Sequence, residues 1–507
     1  MSSDAGPGGR IDDILAEAAR DAPDKVGVVG DRSLSWSALD AEAGVLACGL
    51  SGVGVRPGDR VAIFLDKTTD CVAALYGAWR AGAVAVPVNE SLRARQVEHI
   101  VSDSGAVCVI SSSRKIRLLG SELSIGARVV TVDELAAASA IAPSPGGGGP
   151  EAAAILYTSG STGRPKGILL THDNLRAGTR IVAQYLGLHA EDRILSVLPF
   201  SFDYGLNQLL TAVATRAAIV LQRSSLPAEI CRTLEREAIT VLAGVPPLWI
   251  QLLSDVSPLA RMSLPSWRLM TNSGGAFPPD LVREYRATFP QVELVLMYGL
   301  SEAFRSTYLP PTEVDRRPTS MGRAIPECEI LVLDTDGRRC EPGEVGELVH
   351  RGPTVAAGYW NDPDTTARVF RPDPEIPGGT VVHSGDLVRA DDDGFLYFVG
   401  RRDELIKSQG YRISPTEVEE IAYASGLVRE AVAAGEPDPL AGQVVVLHVV
   451  PLDPETFDPA ALLDVCRDQM PRYMVPRRIV PSAAFPRTAS GKIDRKTVTA
   501  GEATSAP

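Results

Sequence analysis

Residues 155–175 read ILYTSGSTGRPKGILLTHDNL. An apolar run, 155–157, leads into Thr158, Ser159, Gly160, Ser161, Thr162, Gly163, Arg164, Pro165, Lys166 and Gly167, and a second apolar run, 168–170, leaves. Three glycines and four hydroxyls within these ten residues suit an anion cradle. Glycine lets backbone N–H groups approach phosphate oxygens, and the hydroxyls and Lys166 add donors. The loop is not a Walker A motif, which places glycine before the lysine and Ser or Thr after it. Here Pro165 precedes Lys166 and Gly167 follows. A flexible Gly/Ser linker is the bland alternative, and the apolar runs on both sides argue against it.

Upstream, RVAIFL (60–65) reads as a strand, CVAALYGAWRAG (71–82) as a helix closing on glycine, and AVAVPV (83–88) as the next strand. This alternation predicts an α/β fold with largely parallel sheets. PSPGGGG (143–149) reads as a surface loop. Downstream of Cys328, EILVLDTDGRRCEPGEVGELVHRG has two alternating apolar runs separated by Asp-Gly and Pro-Gly turns. That pattern predicts an antiparallel, barrel-like subdomain. After residue 403 a helix, a strand and a second helix form a small α+β unit. The expected domains are 1–402, a large N-terminal part, and 403–507, a small C-terminal part.

The chain has 507 residues, enough for roughly two to four domains or subdomains. Its net charge of -13 argues against non-specific nucleic-acid binding, which needs a basic surface. Seven scattered cysteines without a C-x-x-C read as free thiols in a reducing compartment. The six histidines show no metal-ligand spacing. No leader-like apolar segment and no membrane-length run is present, so a cytoplasmic protein is expected.

Further segments follow in order: NSGGAFP (272–278), MYGLSEA (297–303), GELVHRGPTVAAGYWNDPDTT (346–366), HSGDL (383–387), GRRDELIKSQGYRISPTEVE (400–419) and PRTASGKIDR (486–495). With the 155–175 loop they resemble the adenylate-forming superfamily. That superfamily includes acyl-CoA synthetases, nonribosomal peptide synthetase adenylation domains and firefly-type luciferases. The resemblance implies an ATP- and Mg²⁺-dependent ligase that turns a carboxylic acid into an acyl-adenylate and passes it to a thiol. It implies that Thr158, Ser159, Gly160, Ser161, Thr162, Gly163 and Lys166 hold phosphates, and that Gly274, Gly275, Ala276, Tyr298, Gly299 and Ser301 line the nucleotide site. Tyr298 would stack on adenine, Glu302 would hold Mg²⁺, Asp386 would take the ribose, and Arg401 would contact the nucleotide. Lys492 would be the catalytic lysine, Asp403 the hinge, and Gly410 part of the loop facing the thiol. Only 15 residues follow Lys492, so the thiol is expected in trans, from a carrier protein or CoA.

PFSFDYGLNQLL (199–210) falls where this family builds its acid pocket. A buried carboxylate needs a partner, and Asp203 matches the aspartate that binds a substrate ammonium in amino-acid-activating members. A helix cap near Gly205 is the alternative role. The wording of this segment and of MYGLSEAFRSTYLPP is similar to stand-alone ligases that load β-amino acids onto carrier proteins in macrolactam pathways. It is also similar to acyl-CoA ligases, some of exopolysaccharide systems, and to prolyl-carrier-protein ligases. The first similarity implies a pocket of Phe202, Asp203, Asn207, Ser273, Met297, Gly299, Phe304 and Arg305. Phe304 then suggests an apolar substrate side chain and no second carboxylate, with ordinary core packing as its alternative role.

Overall fold

Strand Arg60–Phe64, buried at four of its five residues, lies parallel to Val84–Pro87, with Arg60 opposite Val84. Helix Thr69–Arg80 crosses between them. Nearly every side chain in these elements is inside, which is why they read as continuous apolar runs. The computed structural model describes residues 9–119, 126–138, 151–159, 165–254, 257–373, 375–402, 405–408, 411–438, 442–470, 472, 474–488 and 491–500.

Three sheets organise these residues. The first has seven strands, with Val84–Pro87 at its centre and Arg60–Phe64 beside it. Its strands Ala152–Ser159 and Pro165–Thr171 pair antiparallel, Thr158 facing Lys166. They are the two apolar runs that flank the glycine-rich loop. The second sheet has fourteen strands. Its parallel part includes Arg193–Ser196, Val241–Gly244, Leu269–Asn272 and Glu293–Tyr298. An antiparallel part continues it, including the expected hairpin of Glu329–Leu333 with Val345–Arg351. The third sheet has five strands and belongs to the C-terminal part. Its core, which includes Ile406, Ile413, Val418, Leu447 and Leu462, is a cluster of its own.

Parallel pairing puts the C-terminal ends of Val241–Gly244, Leu269–Asn272 and Glu293–Tyr298 on one edge. The segments 272–278 and 297–303 leave the sheet there. Open α/β sheets bind ligands outside these strand ends. Among the described residues, no helix is long and apolar enough to cross a membrane. Each of the seven cysteines carries a free thiol.

Candidate active site

Asp203 opens helix Asp203–Thr215 and is 4% exposed. It lies inside the first turn, and Phe202 is the cap residue, so the expected capping role is not what is found. Its Oδ1 accepts the Tyr204 N–H at 2.8 Å, and its Oδ2 lies 3.5 Å from Arg305 Nη1. Arg305 is itself buried and lies over the Tyr204 ring. Its Nε and Nη2 have no hydrogen-bond partner among the described residues. The charge partner of Asp203 in the folded chain is therefore a guanidinium, which the sequence reading did not foresee.

Phe304 is fully buried at φ 54°, a left-handed conformation uncommon outside glycine. Its ring packs on Gly178, where an added Cβ would lie 2.4 Å from Phe304 Cδ1. The ring is part of a buried apolar cluster, in keeping with the core-packing role named as its alternative. Asn207 is buried one turn beyond Asp203 and lines a small pocket with Val182, Leu186, Tyr204, Thr211 and Thr271. Met297 is buried, with its sulfur accepting from Tyr185 Oη, and Ser273 is buried at the end of Leu269–Asn272. Gly299 leaves room for Arg305, whose Nη1 would lie 3.3 Å from an added Cβ.

Asp386 and Arg401 face each other across paired strands, Thr380–Ala390 and Leu396–Arg401, and form an ion pair at 2.8 Å. The Tyr298 hydroxyl also donates to Asp386. Tyr298, expected to stack on adenine, is thus tied to the expected ribose carboxylate.

Lys492 enters this region from the C-terminal part. Its Nζ stands 5.6 Å from the Phe202 ring centroid. At Gly274, with φ +82°, an added Cβ would lie 3.1 Å from Lys492 Cε, so glycine serves both the backbone and the approach. Burial pushes the Lys492 pKa down, while Asp203 and Asp386 pull it up. Gly275 and Ala276 are exposed beside it, and Ser301 is half-buried.

At the phosphate end Glu302 accepts from the Tyr359 hydroxyl. Lys166 Nζ contacts Asp362 Oδ2 at 2.7 Å and Thr365 Oγ1 at 2.8 Å. The sequence reading missed Tyr359, Asp362 and Thr365. Their segment, 346–366, was marked as a motif, and Asp-Pro at 362–363 is a helix-start signal. Nothing local says that Asp362 meets a lysine 196 residues away. Gly160, Ser161, Thr162, Gly163, Asp403 and Gly410 lie outside the described residues, as does the Ser159 side chain.

Residues 15–360 match the AMP-binding enzyme family and residues 417–492 match the AMP-binding enzyme C-terminal domain. The chain belongs to this family, the adenylate-forming enzymes, and is an adenylate-forming ligase. It is 32% identical over 466 residues to feruloyl-CoA synthase of an Amycolatopsis species, covering 92% of this chain and 93% of that one. It is 30% identical over 497 residues to the L-proline–[L-prolyl-carrier protein] ligase of Pseudomonas fluorescens, covering 93% and 95%. The structure of o-succinylbenzoate coenzyme A synthetase from Bacillus subtilis with ATP and a magnesium ion superimposes with a TM-score of 0.84. It is 27% identical and covers 96% of this chain and 99% of that chain.

Proposed function

We propose that this chain activates an amine-bearing, β-amino carboxylic acid as its adenylate and loads it onto the thiol of a separate carrier protein in natural-product assembly. The observation that carries the proposal is the approach of Lys492 to Phe202 and Gly274, within the electrostatic reach of Asp203 and Asp386. A cation between an acid pocket and a ribose carboxylate is placed to bridge the two reactants.

The acid carboxylate attacks the α-phosphorus of ATP and pyrophosphate leaves. Lys492 orients the carboxylate and stabilises charge growing on the α-phosphate, which is how most of the acceleration arises in such a step. Asp386 accepts from the ribose hydroxyls, with Arg401 and Tyr298 fixing its direction. Thr158 and Lys166 hold the outer phosphates. Among the described residues no three His, Cys, Asp or Glu side chains form a metal cage. Magnesium fits all the same, because it usually takes one or two carboxylates with phosphates and water. Glu302 would hold it, and the ion would neutralise phosphate charge. Residues 403–507, with a core of their own, then turn about Asp403, withdraw Lys492 and bring the segment of Gly410 to the thiol. The prolyl-carrier-protein ligase, alike in length, supports a carrier acceptor in trans.

The amine goes to Asp203, whose 3.5 Å separation from Arg305 is loose for a buried pair. The apolar side chain goes to the pocket of Val182 and Leu186 beyond Asn207. Arg305 also favours a second reading, a coenzyme A ligase for a plain acid, because it already neutralises Asp203; feruloyl-CoA synthase is a relative of that kind. Pyrophosphate exchange over β-amino, α-amino and plain acids separates the two. β-Amino acids should drive exchange, and Asp203→Ala should lower the ratio of exchange with the amino acid to exchange with its deamino analogue. Equal exchange with and without the amine would establish the second reading.

A further inference from the structure

The ammonium assigned above to the outer phosphates already has an anion. Lys166 leaves strand Pro165–Thr171, and Asp362 caps helix Pro363–Val369. Short backbone links fix both supports. Gly358 and Tyr359 pair with Leu169 and Ile168, and the Trp360 N–H donates to the Gly167 carbonyl at 2.8 Å. The two Asp362 oxygens do different work. Oδ1 accepts the Thr365 N–H at 2.9 Å and caps the helix. Oδ2 takes Lys166, with Thr365 Oγ1 as a second acceptor. The lysine head thus donates to one ionised oxygen and one hydroxyl, the acceptor set that a phosphate in a Ser/Thr-rich loop would offer it. Hydrogen bonding to Lys166 holds the Asp362 carboxyl down at about 2, so it stays anionic wherever the enzyme works. Both side chains remain partly open to solvent, at 26% and 31%, so the contact can exchange. Tyr359, three residues before Asp362, donates its hydroxyl to Glu302.

We propose that Asp362 is a built-in stand-in for phosphate: it holds the Lys166 ammonium when the phosphates are absent and takes it back as pyrophosphate leaves. ATP must displace the carboxylate to enter, and pyrophosphate meets a competitor that is always present. Asp362 therefore weakens the hold on pyrophosphate and speeds its departure. It is a positioning residue, acting only through Lys166. The inference rests on the reading of Lys166 as a phosphate-holding group.

The test is Asp362→Asn, which keeps a good helix cap while removing the charge. Asp362→Ser, which caps through its hydroxyl, is a second neutral variant. Binding of inorganic pyrophosphate with magnesium is measured by calorimetry, and the KM for ATP by exchange. A pair this open to water is worth little, so pyrophosphate should bind about two- to fivefold more tightly to both variants. The KM for ATP should fall in parallel, and the unfolding midpoint should hardly move. Pyrophosphate binding that is unchanged or weaker in both variants overturns the inference, the second outcome making Asp362 a support that aims Lys166 at phosphate. Lys166→Met is the control. If it leaves pyrophosphate binding untouched, the reading of Lys166 itself fails. If it weakens binding while the Asp362 variants do not tighten it, only the stand-in fails. A merely structural Asp362 would not give a gain in affinity.

Discussion

The Asp203–Arg305 pair and the Lys166–Asp362 pair stand at the two ends of the candidate site, on opposite physical terms. The first is 3.5 Å long with side chains 5% and 2% exposed. The second is 2.7 Å long, with the Lys166 side chain 26% and the Asp362 side chain 31% exposed. Desolvation makes the first costly to break, because the surviving charge is left in the interior. Water makes the second cheap to exchange. A pocket that must keep one shape for one acid suits the first kind. A site that must admit and release a highly charged leaving group suits the second.

The largest expected effect probes Lys492, which stands within the electrostatic reach of the first pair. Lys492→Ala should slow adenylation by a factor on the order of 10²–10³, the usual consequence of losing a donor to developing charge. Thioester formation from preformed adenylate should largely survive. Pyrophosphate exchange and single-turnover thiolation measure the two half-reactions. Equal loss of both would tie Lys492 to the fixed acid end and not to a part that withdraws.

Next comes the buried pair itself. Arg305→Met should cost about 3–5 kcal/mol of stability by leaving Asp203 uncompensated, read from denaturant unfolding. Asp203→Leu combined with Arg305→Met should recover much of that loss. If Arg305→Met costs no more than Asp362→Asn, the distinction between the two pairs collapses.

What was legible in the sequence divides along the same line. Arg60–Phe64, Thr69–Arg80 and Val84–Pro87 could be read because burial of a whole element leaves a local apolar pattern. The hairpin of Glu329–Leu333 with Val345–Arg351 could be read from its alternation and turns. The motif residues Glu302, Asp386, Arg401 and Lys492 came from resemblance, and the fold sets Asp386 against Arg401 by strand register. The pairings that give each site end its character were not legible. Arg305 follows Asp203 by 102 residues, and Asp362 follows Lys166 by 196. Such meetings depend on strand order across sheets. Phe304 stayed open between a pocket role and core packing for a related reason: no local pattern announces its positive φ or its packing on Gly178.

Acid sharpens the contrast next. Burial pushes His172 down to about 4 and His350 down to about 3. His172 Nδ1 accepts the Ile11 N–H at 3.0 Å, so it must be unprotonated when folded. Both histidines take up a proton on unfolding below their ordinary value of 6.5. The unfolded chain then binds more protons, and stability is fully present above pH 6.5 and falls as the pH drops toward 4. The slope should reach about 1.4 kcal/mol per pH unit per histidine. Denaturant unfolding between pH 7 and 4.5 checks this, and a flat profile would place both rings in contact with water. The Lys166–Asp362 pair should add little to this slope, because the stability held by the depressed Asp362 carboxyl is present above its unfolded value of 3.8 and is lost mainly as the pH falls below that value.

The smallest effect belongs to the partly exposed pair, Lys166–Asp362. Asp362→Asn should change stability by less than about 1 kcal/mol, because the helix keeps its cap and both partners keep water. What remains of the pair is Coulombic, so salt should erase it. Raising the ionic strength from about 0.1 to 1 M shortens the screening length from about 10 to 3 Å. The difference in pyrophosphate affinity between Asp362→Asn and the parent chain should shrink accordingly. The stability lost in Arg305→Met should persist at 1 M salt, since mobile ions cannot enter to screen Asp203. If salt abolishes both differences alike, water already reaches Asp203, and an amine on the substrate would find there a solvated carboxylate with little power to select it.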